Sequence, residues 1–445
     1  MSLSAALEAL KEAVPADISK FVSSLAPEWI VHALASGGDR STARRRKLPG
    51  EQVVWLTIGM AMFANWSIVA VVEHLNLVVA GVIVPSSVTE ARYRLGSQPL
   101  KWLFERVAEA WAHADMAGNR SRWRGLALYG VDGSHLRVPD SDGNFTHFGK
   151  PASGRSDAGY PQLRLVALMN LGTRLLAGAA MGPWKVGEVT LARTLWSLVS
   201  ENSLTIVDRG FLSYLILFQV VAERGNRHFL CRAKKNTRYQ ITALLPDGTA
   251  LAFIDPSQAL RRREPGIPGP IEVRVIKYHH PGGQPGVLIT TLIDHVAYPA
   301  NEIIQLYHER WELELGFDEF KTDMLERKEA LRSKKPEGIY QEVWALLLTY
   351  NLVRREMQLT ANEMDVEPNR ISFKNSLIFI RNFFVSAKYA APGTLPKHLG
   401  ELREAIQILR LPERRTERRY PRHVKIKMSA YKRNPGRRQT ASETT

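Results

Sequence analysis

Between Leu126 and Arg232 the chain sets short apolar runs, turn residues and helical segments in an order that few architectures accommodate. LALYGVDGSHLRV from Leu126, YPQLRLVALM from Tyr160 to Met169, and Leu175 to Met181 each read as a strand. Turn residues separate them, so the three predict a meander. Val189 to Val199 then takes helical spacing, Ser203 to Val207 is a short buried strand, Phe211 to Arg224 is a helix, and His228 to Arg232 is another strand. The order β-β-β-α-β-α-β calls for a mixed α/β sheet.

That order is also the one found in a ribonuclease H-like core. The rest of the chain is built around it. Its 445 residues exceed the size at which a single core keeps growing, and 45% hydrophobic content supplies real cores. Up to about residue 118 the spacing is helical: Leu3 to Leu10, Ser19 to Ala35, Glu51 to Phe63 and Ile68 to Leu77. The helix pair after the basic linker Asp39 to Lys47 has the pattern of a helix-turn-helix, although helix pairs without a DNA role are commoner. Beyond Arg232, four runs predict an extended β insertion: Tyr239 to Leu245, Ala250 to Ile254, Ile271 to Tyr278 and Gly286 to Ile293. Long amphipathic helices are expected over Ile339 to Leu359 and Ile371 to Val385. The expected organisation is a helical N-terminal domain (1–118), a first core part (119–235), the insertion (236–298), a second core part (299–395) and a basic segment (396–445).

A formal net charge of +16 favours a polyanionic partner, nucleic acid before anionic membrane. The most apolar region, Val53 to Val84, is interrupted by Asn65, Glu73, His74 and Asn76. It therefore lacks the uncharged run of about 20 residues that a membrane span needs. Glu8, Lys11 and Glu12 stand where a signal peptide would need an unbroken apolar stretch. The single cysteine, Cys231, excludes an intramolecular disulfide and a cysteine-built zinc site, and its apolar setting marks it as core. The expected location is the bacterial cytoplasm, with association to the nucleoid when DNA is bound.

Two aspartates occupy telling places. Asp132 follows the run Leu126 to Val131, and Asp208 directly ends SLTIV, so each lies in or at the end of a buried strand. An unpaired carboxylate there costs several kcal/mol or is forced to protonate. Taken singly, Asp132 in a turn with Gly133, or Asp208 as a helix cap, is the plainer reading.

A third feature joins them. In YHERWELELGFDEFK, Tyr307 to Lys321, a helix of about 3.6 residues per turn puts Tyr307, Arg310, Glu314 and Lys321 within an arc of about 60°. A solvated helix with an i,i+4 pair would look much the same. Beside two strand aspartates, however, the glutamate completes an oxygen-donor set suited to magnesium or manganese. Two such ions about 3.5 to 4 Å apart activate a nucleophile and stabilise the leaving oxygen of a phosphoryl displacement. Asp318 also faces the stripe, so helix geometry leaves two candidates for the third carboxylate; Glu309, Glu312 and Glu319 point away.

The chain resembles the DDE transposases of the insertion element 4 family. Their signature of Tyr, two residues, Arg, three residues, Glu, six residues and Lys is matched at every interval by Tyr307, Arg310, Glu314 and Lys321. VDGS around Asp132 and VDRGF around Asp208 are similar to the family's two aspartate motifs. FGKPASGRSDAGYPQLRLVAL, YPRHVKIKMSAY and the N-terminal RRRKLPGEQVVWLTIGMAMF are similar to family sequence as well. The likeness therefore covers most of the chain.

The resemblance implies that Asp132, Asp208 and Glu314 bind two divalent ions, Mg2+ or Mn2+, and that Tyr307, Arg310 and Lys321 contact phosphates at the transposon end. It selects Glu314 over Asp318, leaving Asp318 as an accessory charge beside Lys321. It also implies double-stranded DNA as partner, both terminal inverted repeats and target, a homodimer on that DNA, and cut-and-paste transposition through a hairpin. Relatives that make hairpins stack a flipped base on an aromatic of the insertion. This insertion has no tryptophan, so Tyr278 with His279 or His280 is the substitute.

Further DNA contacts are expected from Arg209, from Arg44, Arg45 and Arg46 in the basic linker, and from Arg418, Arg419, Lys425 and Lys427 in the tail. Glu413 to Arg438 holds eleven Lys or Arg against two Glu, with Tyr420 and Tyr431 interleaved, which suits sequence-independent, salt-sensitive binding. The alternatives are a recruited, catalytically idle relative, a ribonuclease H-like nuclease, and a basic packaging protein. The first would be marked by lost acidic residues, the second would not need the stripe, and the third would not need ordered carboxylates.

Overall fold

The computed structural model describes residues 25–38, 48–75, 85–113, 122–151, 159–222, 225–279, 285–326, 331–387 and 394–412. Arg44, Arg45, Arg46, His280, Arg418, Arg419, Lys425 and Lys427 lie outside them.

The meander is present. Strands β2 (Leu126–Arg137), β3 (Gln162–Asn170) and β4 (Leu176–Pro183) pair antiparallel in sequence, and the two-residue β1 (Arg122–Trp123) joins the start of β2. On the other side of β2 the pairing turns parallel, first with β5 (Ser203–Val207) and then from β5 to β6 (Arg227–Arg232). All five residues of β5 are buried, as a parallel strand covered on both faces requires. This is the mixed sheet of a ribonuclease H-like core.

The insertion continues that sheet. Strands β7 (Gln240–Leu244), β8 (Ala250–Ile254), β9 (Ile271–Tyr278) and β10 (Gly286–Thr290) close on the four runs read from the sequence. The returning strand β10 pairs antiparallel with β6, Ile289 opposite Cys231. One sheet therefore runs β4-β3-β2-β5-β6-β10-β9-β8-β7. Arg274 on β9 is fully buried and ties the far end together: Nε donates to Thr249 Oγ1 (2.9 Å), Nη1 donates to the Tyr298 carbonyl (2.6 Å), and Asp247 takes the remaining arm.

Helices cover the sheet. The N-terminal part supplies α1 (Pro27–Ser36), α2 (Gly50–Met62), α3 (Ile68–His74), α4 (Pro85–Leu95) and α5 (Gln98–Val107). The core adds α6 (Asp142–Phe148), α7 (Glu188–Ala192), α8 (Tyr214–Ala222), α9 (Gln258–Arg263), α10 (Ala300–Tyr307) and α11 (Trp311–Asp318). The chain then forms α12 (Pro336–Glu363), α13 (Phe373–Ala387) and α14 (Leu395–Gln407). Helix α12 opens with Pro at its first position, where no backbone donor is lost. It is buried on nearly every side because α2, α5, α13 and α14 all pack against it. Arg92 on α4 adds buried polar links to the same helix, to Gln341 (3.0 Å) and Glu342 (2.8 Å).

Two helices depart from expectation. The run Val189 to Val199 is helical only to Ala192, followed by turns and a 3-10 turn at Trp196–Leu198. Thr194 donates its hydroxyl to the Leu191 carbonyl, an alternative to helix continuation, and Trp196 is drawn into the core. The stretch from Tyr307 to Lys321 is continuous but not one regular helix. After α10 comes a 3-10 turn at His308–Arg310, then α11, then a π-helical segment at Glu319–Met324.

Candidate active site

Strand pairing brings the two aspartates together. Val131 and Val207 are the last registered partners of β2 and β5, so Asp132 and Asp208 follow side by side on strands about 4.8 Å apart. Asp208 leaves β5 in extended conformation as the cap of the 3-10 turn Arg209–Phe211. Arg209 is exposed on that turn.

Helix α11 packs closely on β2 and β3 because glycine permits it. A methyl group at Gly130 would stand 2.4 Å from Leu313 Cδ1, and one at Gly316 would stand 2.3 Å from Met169 Cε on β3. A side chain at either site would displace Leu313 or the end of Met169 from this contact. Alternation along β2 puts Asp132 and Ser134 on the same face as Gly130, toward α11. Gly133 faces the opposite way, where the Glu188 carboxylate of α7 fills the space its side chain would take.

The buried side of α11 carries what the helical wheel could not show. Glu312 and Glu319, which point away from the stripe, are core residues. Arg174, in the β3–β4 turn at φ 58, donates to Glu312 (2.5 Å) and Glu319 (2.6 Å). Tyr350 and Arg354 of α12 also bond Glu319, at 2.9 Å from Tyr350 Oη and 3.0 Å from Arg354 Nε. Glu319 is the first residue of the π segment, so this anchor sits where the winding changes.

On the outer side the stripe residues hold one another. Arg310 Nη2 donates to Glu314 Oε1 (2.9 Å), and the Arg310 guanidinium lies over the Trp311 ring at 5.3 Å. Lys321 Nζ donates to Ser134 Oγ (2.8 Å), the serine of the VDGS motif. Asp318 is exposed; it favours the Lys321 charge through space while Ser134 makes the hydrogen bond. Tyr307 is half-buried at the end of α10. Tyr278 packs its ring on Gly286, its partner across β9 and β10.

Electrostatics ties these pieces into one site. Burial, with Glu188 and Asp208 nearby, lifts the Asp132 carboxyl to about 6, against a Gly133 hydrogen bond and the Arg310 charge that favour ionisation. Burial also raises the Tyr307 hydroxyl, with Cys231 and Asp208 adding to it and Arg310 opposing. Burial opposes the Arg310 charge, but the Glu314 bond and the surrounding acidic groups outweigh it and hold its pKa above normal. Lys321 is lowered by burial. Cys231 is fully buried.

Asp132, Asp208 and Arg310 are therefore mutual neighbours, whereas Glu314 is joined to them through Arg310. Among the described residues no group of three or more His, Cys, Asp or Glu side chains is close enough to hold a metal ion. The donor chemistry nevertheless suits a divalent cation: Asp132 and Asp208 supply hard carboxylate oxygens from adjacent strands, and burial disfavours the charge of Asp132 where no cation offsets it. Sequence reasoning missed Ser134 and Glu188. Ser134 was visible only as part of VDGS, and Glu188 had no motif to mark it.

The insertion element 4 transposase N-terminal model matches residues 15–105, and the transposase DDE domain model matches residues 110–352. Transposase InsG for insertion sequence element IS4, from Escherichia coli (strain K12), is 33% identical over 422 residues, covering 94% of each chain. The chain belongs to the insertion element 4 family of DDE transposases. Putative transposase InsZ from the same organism is 34% identical over 239 residues, 52% of this transposase and 76% of the relative. A cryo-EM structure of the piggyBac transposase synaptic complex with hairpin DNA overlaps with a TM-score of 0.43 at 11% identity, covering 89% of this transposase and 85% of that chain. The transposase is thus an enzyme of DNA cleavage and strand transfer, with DNA as partner, in a family that uses divalent metal ions. No helix among its described residues is long and apolar enough to cross a membrane.

Proposed function

We propose that Asp132, Asp208 and Glu314 are the three catalytic carboxylates, and that together they hold two divalent ions, Mg2+ or Mn2+. The observation that carries this reading is the placing of Asp132, midway along β2, beside Asp208, which leaves the end of β5, with the helix that bears Glu314 packed on β2. When bound, the ions would supply Lewis acidity to the scissile phosphodiester and make water or a 3′ hydroxyl a competent nucleophile.

The chain's own residues do the remaining work. Arg310 presents a planar fork matched to two phosphate oxygens, Lys321 presents a point charge, and Tyr307 presents a hydroxyl donor from a half-buried position. DNA that engages Arg310 competes with Glu314 for the guanidinium and frees that carboxylate for the ions. The motif spacing names Glu314 rather than the exposed Asp318 as the third carboxylate, and the hydrogen bond from Arg310, a neighbour of both aspartates, supports that reading.

The DNA substrates in this reading are terminal inverted repeats and a target duplex, synapsed by a homodimer at the nucleoid of a bacterial cytoplasm. The N-terminal helices and the basic segments flanking the described residues provide further DNA contacts. Cut-and-paste transposition proceeds through a hairpin at the element's end. Tyr278, near Tyr307, is the aromatic placed to meet a displaced base.

The test uses a supercoiled donor carrying the element's ends, Mg2+ and Glu314→Gln. Loss of nicking in the variant, with end binding retained, is expected. Full activity in the variant, or cleavage without a divalent ion, rejects the assignment. Hairpin ends among the reaction products, scored on denaturing gels, test the intermediate separately.

A further inference from the structure

Strand transfer brings two duplexes to one set of carboxylates, so a second DNA path must reach Asp132 and Asp208 without crossing the first. The stripe lies on the α11 side of β2. On the opposite side, where Gly133 meets Glu188, a groove of about 1210 Å³ runs between α7, the start of α8, the β6–β7 connection and the segment leading into α9.

Its inner end adjoins the site. Lys234 Nζ donates to the carbonyls of Gly210 (3.4 Å) and Leu212 (3.3 Å), the turn that follows Asp208. From there the groove is lined by Arg193, Arg238 and Arg263, all exposed. Among the described residues no carboxylate pairs with Arg193 or Arg238, and the lining Asp255 is occupied by Arg261 (3.4 Å). Arg263 is paired with Glu264 (3.3 Å), which leaves Arg193, Arg238 and the Lys234 ammonium facing the cleft without a carboxylate partner among the described residues.

We propose that this groove binds the sugar-phosphate backbone of the target duplex during strand transfer. Exposed arginine and lysine side chains converge on the cleft from separate elements, which suits a run of phosphates rather than a single anion. Contacts of this kind position DNA without reading its sequence. The inference rests on the reading that the stripe grips the element's end.

The experiment compares two steps in the full chain carrying Arg193→Glu with Arg238→Glu. One is cleavage of a donor end; the other is joining of a pre-cleaved end to a plasmid target. End cleavage should stay within about twofold of wild type, while joining falls on the order of tenfold and target capture depends less steeply on salt. Arg193→Lys with Arg238→Lys should restore joining. Equal losses in both steps would assign the groove to the element's end. No loss in either, or loss of cleavage alone, would also overturn the proposal. Activity of the Glu314→Gln variant is the separate outcome that would reject the underlying site.

Discussion

Arg310 Nη2 stands 2.9 Å from Glu314 Oε1, so the glutamate read as a metal ligand is held by the arginine read as a phosphate ligand. Each is the other's partner until substrate arrives. Arg310→Gln should therefore weaken end binding while raising the affinity of the DNA-free protein for Mn2+, measured by calorimetry. A parallel fall in both affinities would mean that Arg310 helps to build the metal site instead of blocking it.

Asp132 makes the metal-free stability depend on pH. Its folded carboxyl titrates near 6, above an unfolded value of about 3.9, so the native state holds a proton that the unfolded state has released. Metal-free stability should consequently fall as pH rises from about 4 through 6. Asp132→Asn should remove that fall, raising metal-free thermal stability at pH 7 but not at pH 4, while abolishing cleavage. Melting curves at the two pH values, without divalent ions, check it.

Gly130→Ala tests the seat of α11. The new methyl would lie 2.4 Å from Leu313 Cδ1 and 2.9 Å from Leu171 Cδ2, so Leu313 must shift, and the expected outcome is that it carries the helix with it. A displacement of about 1 Å at a reacting group can cost roughly a hundredfold in rate. Single-turnover cleavage should fall by about that factor with the circular dichroism spectrum retained. Adding Leu313→Ala should recover part of the rate; if it recovers none, the contact is not the cause.

The buried acid pair on α11 should matter for stability. Arg174 is 5% exposed and serves both Glu312 and Glu319, so Arg174→Met strips a shared cation from two buried carboxylates. A loss of about 3 to 5 kcal/mol is expected. Denaturant unfolding measures it, and a change below about 1 kcal/mol would show that Arg174 is not needed to hold the two acids.

The strands of the core were legible because β5 and the first half of β2 are buried on both faces, which leaves an unbroken apolar run, and because Asp208 interrupts that run where the strand ends. The insertion's strands were legible too, yet their place in the main sheet was not, since nothing in Gly286 to Thr290 names Cys231 and its neighbours as partners. The stripe survived in outline because Arg310 and Glu314 remain one turn apart. The change to π winding at Glu319 escaped notice because it coincides with an anchor on Tyr350 and Arg354, about 30 positions further on. Of Glu312 and Glu319 the sequence showed only that they point away from the stripe. A helical wheel separates two faces but does not say which one meets an arginine from a distant turn.

The pairing of β10 with β6 has a mechanical consequence. A lobe attached by two flexible linkers would swing freely, and force on its tip would dissipate at the hinges. Here the outer strands are laced to β6 by backbone hydrogen bonds, and β6 is laced to the strand that ends at Asp208. The sheet is a single cantilevered plate, and a duplex pressed against its far edge would load Asp208 directly.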